Sequence, residues 1–231
     1  MEVEPPTPQR LTVQVSQTVV VSGLLLLPDR ARACLVLAHG AGAGMTHPFM
    51  IAAAAGLSER GIGTLRYQFP YMEVGSRRPD GPGLAQATVR AAVNEANVRL
   101  PDLALFAGGK SFGGRMTSQA QALAPLEGVR GLVFFAFPLH PAGKPSIDRA
   151  AHLSAVAIPM LFLQGTKDTL AELDLLQGVV AGLGPLATLE LLDQADHAFH
   201  VPARLGRKDA DVLAAALDAA SAWMRSTIAI R

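Results

Sequence analysis

One serine, placed in a glycine-flanked turn between an apolar segment and a helical segment, constrains this chain more than any other feature. Residues 103–107 predict a buried strand, and residues 115–123 predict a helix. Between them lies Gly109-Lys110-Ser111-Phe112-Gly113, a G-x-S-x-G pattern. Glycine on both sides relieves the clashes of a serine held in a tight strand-to-helix turn. The pattern predicts that the Ser111 hydroxyl stands above a sheet edge, near the N–H groups that open the next helix.

The same stretch also resembles a phosphate-binding loop. Residues 104–111 differ from the G-x-x-x-x-G-K-[ST] pattern by an alanine in place of the first glycine. Three of the four residues that would wrap around phosphate, Leu105, Phe106 and Ala107, are apolar and typical of a strand. The later apolar segment 131–137 has no aspartate at its end to hold magnesium. A serine nucleophile is therefore the favoured interpretation.

Composition and charge exclude several classes of function. The 231 residues are 50% hydrophobic with a formal net charge of +1, which favours one domain over residues 1–231 and gives no electrostatic case for nucleic acid. Residues 1–10 are acidic and proline-rich, and are predicted to be a loose tail rather than a secretory signal. No apolar run has the length of a membrane span, and no Cys/His cluster has the spacing of a metal site. Cys34 is the sole cysteine and is expected in the core. We expect a cytoplasmic protein with no metal or other cofactor.

Apolar segments alternate with helical patterns, and this alternation predicts a parallel sheet covered by helices. Strands are expected at residues 11–15, 19–27, 33–38, 63–67, 103–107, 131–137, 159–164 and 188–192, and helices at 48–60, 84–99, 115–123, 170–181 and 210–224. The first two strands are too close in sequence for a crossover helix, so they should form an antiparallel margin. The predicted fold class is α/β, with a mostly parallel twisted sheet of about seven or eight strands. Only about twenty residues separate the strands at 131–137 and 159–164, so the lid should be minimal, with one short helix near 147–154.

Two polar side chains follow later strands in the order that a serine nucleophile requires. Asp168 follows the strand at 159–164, and His197 follows the strand at 188–192. Since ligands sit at the carboxyl ends of parallel strands, both should lie near Ser111. A serine hydroxyl needs an imidazole to remove its proton, and the imidazole needs a carboxylate to fix its tautomer and stabilise its charge. Ser111, Asp168 and His197 are therefore predicted to form a catalytic triad.

Each of these residues also has a simpler interpretation. Asp168 alone would suit the N-cap of the helix expected at 170–181. Asp193 and Asp196 are alternative acids, although both lie close to His197 in sequence. His200 is the alternative base. Chain order and placement after strands favour the triad over these separate readings.

The glycine-rich loop after the third strand supplies the remaining part of a hydrolytic site. Acyl transfer needs two N–H donors directed at the developing oxyanion. One should be the N–H of Phe112, which follows the nucleophile, and the other should come from this loop. Ala41 is the first choice and Gly42 the second. His39 is expected to order the loop by hydrogen bonding.

At this point the chain resembles the α/β-hydrolase superfamily over essentially its whole length. More narrowly, it resembles small members related to dienelactone hydrolases and to the testis-expressed and NSL-complex-subunit-like hydrolases. The motifs that carry this resemblance are HGAG at 39–42, HPFM at 47–50, GKSFGGR at 109–115, FPLHP at 137–141, GKP at 143–145, LQGTKD at 163–168 and DHAF at 196–199. The resemblance implies a cytoplasmic carboxylesterase of the serine hydrolase type with no cofactor, and implies no particular substrate. Dienelactone hydrolases use a cysteine nucleophile, so Ser111 argues against that activity.

The predicted function is cleavage of small carboxylic esters through an acyl-enzyme intermediate. Lys110, Arg115 and His140, together with Lys144, are candidates for positive charge at the mouth of the site, which would suit an anionic acyl group. The alternative is a hydrolase-fold interaction scaffold with an unused triad, which a large exposed apolar patch would favour. The expected partner is a small-molecule ester, and the sequence leaves the oligomeric state open.

Overall fold

A computed structural model describes residues 6–229, which contain eight strands. They are β1 (Gln9–Gln14), β2 (Val20–Leu26), β3 (Ala33–Ala38), β4 (Ile62–Tyr67), β5 (Ala104–Lys110), β6 (Val129–Phe135), β7 (Met160–Gly165) and β8 (Ala187–Leu192). All eight form one sheet in the order β1-β2-β4-β3-β5-β6-β7-β8. The pairs β1–β2 and β2–β4 are antiparallel, and all other neighbours are parallel. The predicted α/β class and the antiparallel margin are confirmed.

In the described part of the chain, six α-helices flank the sheet. They are α1 (Pro48–Glu59), α2 (Pro70–Glu73), α3 (Pro82–Arg99), α4 (Phe112–Leu123), α5 (Leu173–Leu183) and α6 (Asp209–Ala229), with 3-10 segments at Asp148–Ala155, Gly184–Leu186 and Ala203–Leu205. None of the helices within residues 6–229 is long and apolar enough to cross a lipid bilayer.

The helices cover both faces of the sheet, and each face has its own hydrophobic core. Every residue of β3, β4 and β7 is buried, as expected for parallel strands with helices on both sides. One core includes Val89 of α3 and Met116 of α4, whereas the other includes Met50 of α1 and Leu217 of α6. The two layers of helices exclude water from the faces of the sheet. A ligand can therefore approach only at the ends of the strands.

The structure differs from the predicted elements at three places that matter. Strand β5 continues through Lys110 because Gly108, Gly109 and Lys110 pair with β6, so no flexible phosphate-binding loop exists there. The predicted tail over residues 1–10 overlaps β1, because Gln9 and Arg10 pair with β2; residues 1–5 lie outside the described residues. Residues 68–82 lie between the predicted strand at 63–67 and the predicted helix at 84–99, where their polar, proline-containing sequence predicts a loop, but they contain the short helix α2.

Little protein covers the carboxyl ends of the strands between β6 and β7. The connection contains only the 3-10 segment Asp148–Ala155, which packs against α4. A short connection of this kind leaves the edge of the sheet at Ser111 accessible, as the predicted minimal lid requires.

Candidate active site

Ser111 lies in a strained turn between β5 and α4. Its backbone angles are φ 50° and ψ −112°, in a region that L-residues rarely adopt. The surrounding backbone holds this conformation, since the Ser111 N–H donates to the carbonyl of Phe135 at 3.0 Å and the Ser111 carbonyl accepts from the N–H of Arg115 at 3.1 Å. Strain that is fixed in this way is typical of functional turns.

The two glycines of the G-x-S-x-G pattern allow the end of β3 to approach this turn. A Cβ atom on Gly113 would lie 2.6 Å from the carbonyl oxygens of both Ala38 and His39. A Cβ on Gly109 would meet the same Ala38 carbonyl even more closely. Glycine is therefore required here by close backbone contacts as well as by the turn itself.

We expect Gly113→Ala to destabilise the fold by roughly 1–3 kcal/mol, because the new methyl group has only backbone atoms to displace. The urea midpoint of unfolding measures this change. The matched control is Gly178→Ala in α5, where nothing apart from the neighbouring backbone of its own helix lies within 4 Å of the added Cβ. This control should stabilise the protein slightly, because alanine is the better helix former. A Gly113→Ala midpoint equal to that of the wild type would contradict the close approach of β3.

A chain of hydrogen bonds joins Ser111, His197 and Asp168. The His197 Nδ1 atom lies 2.7 Å from Oδ2 of Asp168, and its Nε2 atom lies 2.8 Å from the Ser111 Oγ atom. A carboxylate only accepts hydrogen bonds, so Nδ1 carries the proton of the neutral imidazole and Nε2 accepts from the serine hydroxyl. The Asp168 side chain is fully buried, whereas that of His197 is 24% exposed. His197 can therefore remove the hydroxyl proton of Ser111 in a region that solvent and substrate can reach.

Asp168 is held by groups that fix both of its carboxylate oxygens. Its Oδ1 atom accepts from the Leu170 N–H at 2.8 Å, and its Oδ2 atom accepts from Nε2 of Gln164 at 2.6 Å. Gln164 is itself oriented, because its Oε1 atom accepts from the Phe137 N–H at 2.8 Å. Helix α5 has Glu172 at its N-cap position, so Asp168 does not cap that helix.

The alternative acids and base have other partners. Asp196 accepts hydrogen bonds from the N–H groups of Ala198 and His200, at 2.7 and 2.9 Å, and so shapes its own loop. His200 is exposed and pairs with Asp209 at 2.9 Å, which raises the pKa of His200. Asp193 is exposed on the loop surface. These groups make no hydrogen bond to Ser111.

The two candidate donors in the loop after β3 have different surroundings. Ala41 lines the same cavity as Ser111, and no acceptor among residues 6–229 takes its N–H or that of Phe112. Gly42 differs, because its N–H donates to the Tyr71 hydroxyl at 2.8 Å. Within residues 6–229 the N–H groups of Phe112 and Ala41 are therefore unpaired, whereas the Gly42 N–H has an acceptor.

His39 fixes the loop after β3 through two hydrogen bonds. It is fully buried, accepts from the Phe69 N–H at 3.1 Å through Nε2, and donates through Nδ1 to the Gly40 carbonyl at 2.7 Å. Burial lowers the pKa of His39 to about 4, so the ring stays neutral near pH 7 and keeps both bonds. Its contacts are those of a residue that orders the loop.

A cavity of about 370 Å³ opens over Ser111. Most of its lining is apolar, and the lining residues are Gly40, Ala41, Ala43, His47, Phe49, Met50, Lys110, Ser111, Leu170, His197 and Ala198. A larger cavity of about 520 Å³ lies near Arg10 and Met45 at the antiparallel margin, and the residues that line it include no histidine. The smaller cavity, which contains Ser111 and His197, is therefore the candidate active site. Within residues 6–229, no three His, Cys, Asp or Glu side chains group as metal ligands.

The predicted positive charge at the mouth is not assembled. His140 is fully buried, with Nδ1 directed at the Pro141 carbonyl and Nε2 accepting from the Glu172 N–H at 3.2 Å, so it holds a loop and does not reach the cavity. The guanidinium of Arg115 lies 6.0 Å from the ring centroid of Phe112. Neither these residues nor Lys144 lines the cavity. Only Lys110 does, and its ammonium group already has protein partners.

Sequence reasoning missed three residues of this site. Tyr71 lies on α2 inside a predicted loop, and Gln164 is the penultimate residue of a buried strand. Phe49 and Gln164 belong to the motifs HPFM and LQGTKD, but these motifs assign neither residue a role. A buried glutamine in an otherwise apolar strand was the available signal for Gln164, because a buried amide requires partners.

Comparison with known proteins identifies relatives of the whole domain. Residues 31–225 match the family model described as alpha/beta hydrolase domain. A dienelactone hydrolase from Anabaena variabilis is similar in structure, with 21% identity over 96% of this chain and 99% of that chain and a TM-score of 0.77. A serine hydrolase without lid from Xanthomonas campestris has 22% identity over 96% and 98% of the two chains and a TM-score of 0.74. An esterase domain from Rhodothermus marinus has 17% identity over 95% and 98%, with a TM-score of 0.69.

The structural neighbours share the fold, and the family match covers most of the chain. This chain belongs to the α/β-hydrolase domain family.

Proposed function

We propose that the protein is a serine hydrolase that cleaves small carboxylic esters through Ser111, His197 and Asp168. The observation that carries this proposal is the hydrogen-bonded chain from Ser111 through His197 to Asp168 beneath an open cavity. The similarity to hydrolases and esterases supports it.

In the first step, the Ser111 Oγ atom attacks the ester carbonyl carbon while Nε2 of His197 takes the hydroxyl proton. Asp168 stabilises the resulting imidazolium through Nδ1–H. The N–H groups of Phe112 and Ala41 donate to the oxyanion. The carbon–oxygen bond to the alcohol then breaks, and the alcohol leaves with the proton from Nε2.

In the second step, water replaces the alcohol. Nε2 of His197 takes a proton from the water as its oxygen attacks the acyl carbon of the ester on Ser111. The tetrahedral intermediate collapses, Ser111 regains the proton, and the carboxylic acid leaves. No group outside the triad, the oxyanion donors and water is needed to balance the two steps.

The cavity favours a compact, uncharged acyl group. Its walls include Ala43, Met50 and Leu170, and its volume of about 370 Å³ lies near the lower end of ligand pockets. The one cation in the wall, Lys110, is paired with a carbonyl and two aromatic rings. A carboxylate on the acyl chain would have to compete for Lys110 with the His197 carbonyl and the two rings, so we expect no preference for anionic esters.

The scaffold alternative receives less support. A blocked pocket or a large apolar patch away from Ser111 would favour it, but the cavity over Ser111 is open. The large exposed hydrophobic residues lie on different helices, for example Ile51 on α1, Val98 on α3 and Leu123 on α4. We therefore place hydrolysis first.

Intact mass after treatment with a fluorophosphonate probe tests the proposal. We expect one adduct on the wild type and none on Ser111→Ala. Ser118→Ala is the matched control, because the Ser118 Oγ atom also lies 2.7 Å from a histidine nitrogen, Nε2 of His152, yet Ser118 is fully buried in α4. This control should be labelled like the wild type. A folded wild-type protein without an adduct, or an adduct that persists in Ser111→Ala, would refute the proposal.

A further inference from the structure

Lys110 joins the strand that carries Ser111 to the loop that carries His197. Its Nζ atom donates to the backbone carbonyl of His197 itself. The same ammonium group lies 4.6 Å from the ring centroid of Phe199 and 5.3 Å from that of Phe49. The side chain thus crosses from β5, beside the nucleophile, to two residues of the β8–α6 loop.

The Lys110 contact is a hydrogen bond from β5 to the backbone of this loop. The loop's internal hydrogen bonds join Asp196 to Ala198, Phe199 and His200, so they set its shape without tying it to β5. On the side of β7, the loop is fixed through Ala195, whose carbonyl accepts from the Lys167 N–H at 2.9 Å. Phe199 has a φ of 69°, which for a bulky residue is a strained conformation that the surroundings must hold.

We propose that Lys110 is a positioning residue whose protonated ammonium group holds the His197 loop against the Ser111 turn and so keeps the imidazole within reach of the serine hydroxyl. This inference rests on the proposed function of Ser111 and His197. This role accounts for the presence of a cation in a mostly apolar cavity wall. A charged donor binds the His197 carbonyl more strongly than a neutral one, and the ammonium group also attracts both aromatic rings.

The contact is sensitive to pH in a range that an assay can reach. Burial lowers the pKa of Lys110 to about 8, while the negative charges of Asp168 and Asp196 act in the opposite direction. The other titratable groups that line the same cavity are His47 and His197. Above about pH 8 the amine is neutral and loses both the charge-assisted hydrogen bond and its attraction to the rings.

The effect on stability has the opposite sign. The folded protein releases the Lys110 proton at a lower pH than the unfolded chain, in which the lysine pKa is near its ordinary value of 10.5. This group therefore contributes increasing stability as pH rises from about 8 toward 10.5. A fall in Ser111 reactivity over this interval would therefore not reflect unfolding driven by Lys110. Reactivity and stability can be told apart in one titration.

The test measures the rate of fluorophosphonate labelling as a function of pH for the wild type and Lys110→Met. Methionine has a similar length and packs well against aromatic rings, so the variant should fold with a thermal midpoint at or above that of the wild type. We expect wild-type labelling to decline with a midpoint near pH 8. Lys110→Met should react roughly 10- to 100-fold more slowly at neutral pH, because a small misplacement of the imidazole is costly, and should show no alkaline decline. Lys208→Met, at an exposed lysine before α6, is the control and should match the wild type.

The outcomes separate this inference from the proposed function. Labelling of Lys110→Met at the wild-type rate, or with the wild-type alkaline decline, would overturn the role of Lys110 while leaving Ser111 as the nucleophile. Labelling of the wild type that does not fall above pH 8 would also overturn it, and this measurement needs no substitution. A wild type that is not labelled at any pH would remove the proposed function itself.

Discussion

Ser111→Ala is expected to lower kcat/KM for a small ester by roughly 10⁴- to 10⁶-fold. The substitution removes the only atom that can form the acyl-enzyme, so His197 and Asp168 have no nucleophile to activate. The N–H groups of Phe112 and Ala41 remain, so a small rate above that in buffer should persist through attack by water. Initial rates of p-nitrophenyl acetate and butyrate hydrolysis measure the change.

The loss should not come from unfolding. Alanine must adopt the same φ of 50° as Ser111, so the strain of the turn is unchanged and the urea midpoint should stay close to that of the wild type. Ser118→Ala, which removes the other serine that lies beside a histidine, should keep kcat/KM within about twofold of the wild type, because its side chain is buried away from the cavity. Retention of a tenth of the activity by Ser111→Ala would mean that another group performs the reaction.

The fold could be predicted from the sequence because its signals are local. Parallel strands covered on both faces appear as unbroken apolar runs, as at residues 33–38 and 159–164, and β3 and β7 lie there within a residue. Chain order then places the residues after these strands at one edge of the sheet. Ser111, Asp168 and His197 follow β5, β7 and β8, and the structure brings them together.

The rest of the site depends on contacts between segments that are distant in sequence. The sequence ranks Ala41 before Gly42 but contains no contact that decides between them. The structure supplies one, because the Tyr71 hydroxyl, on a short helix inside a predicted loop, accepts from the Gly42 N–H. In the sequence, His140 and Lys110 are likewise equal candidates for positive charge at the mouth of the site. A loop carbonyl and the Glu172 N–H fix His140 inside the protein, whereas Lys110 meets two rings from α1 and the His197 loop. No local pattern encodes such pairings.

Asp168→Asn is expected to lower kcat by roughly 10³- to 10⁴-fold with a much smaller change in KM. In the wild type, every group facing the carboxylate is a donor: the Leu170 N–H at Oδ1, and the Gln164 amide and His197 Nδ1–H at Oδ2. An asparagine must turn its NH₂ group toward one of these donors. Gln164 cannot flip without losing its bond to the Phe137 N–H, so the imidazole is the group that can adapt. It would then carry its proton on Nε2, facing Ser111, and could no longer accept the serine proton.

A second His–Asp pair of the same chain provides the control for this substitution. Asp209 lies 2.9 Å from His200, but both side chains are more than half exposed and neither lines the cavity, so Asp209→Asn should leave kcat within about twofold of the wild type. Steady-state kinetics on one p-nitrophenyl ester, with the urea midpoint of each variant, separate a loss of catalysis from a loss of fold. If Asp168→Asn kept more than a tenth of the wild-type kcat, His197 would not depend on a carboxylate for its tautomer, and the hydrogen bond between them would be structural. A loss of several orders of magnitude in a folded protein, with no change at Asp209, would instead assign the buried carboxylate its part in proton transfer from Ser111.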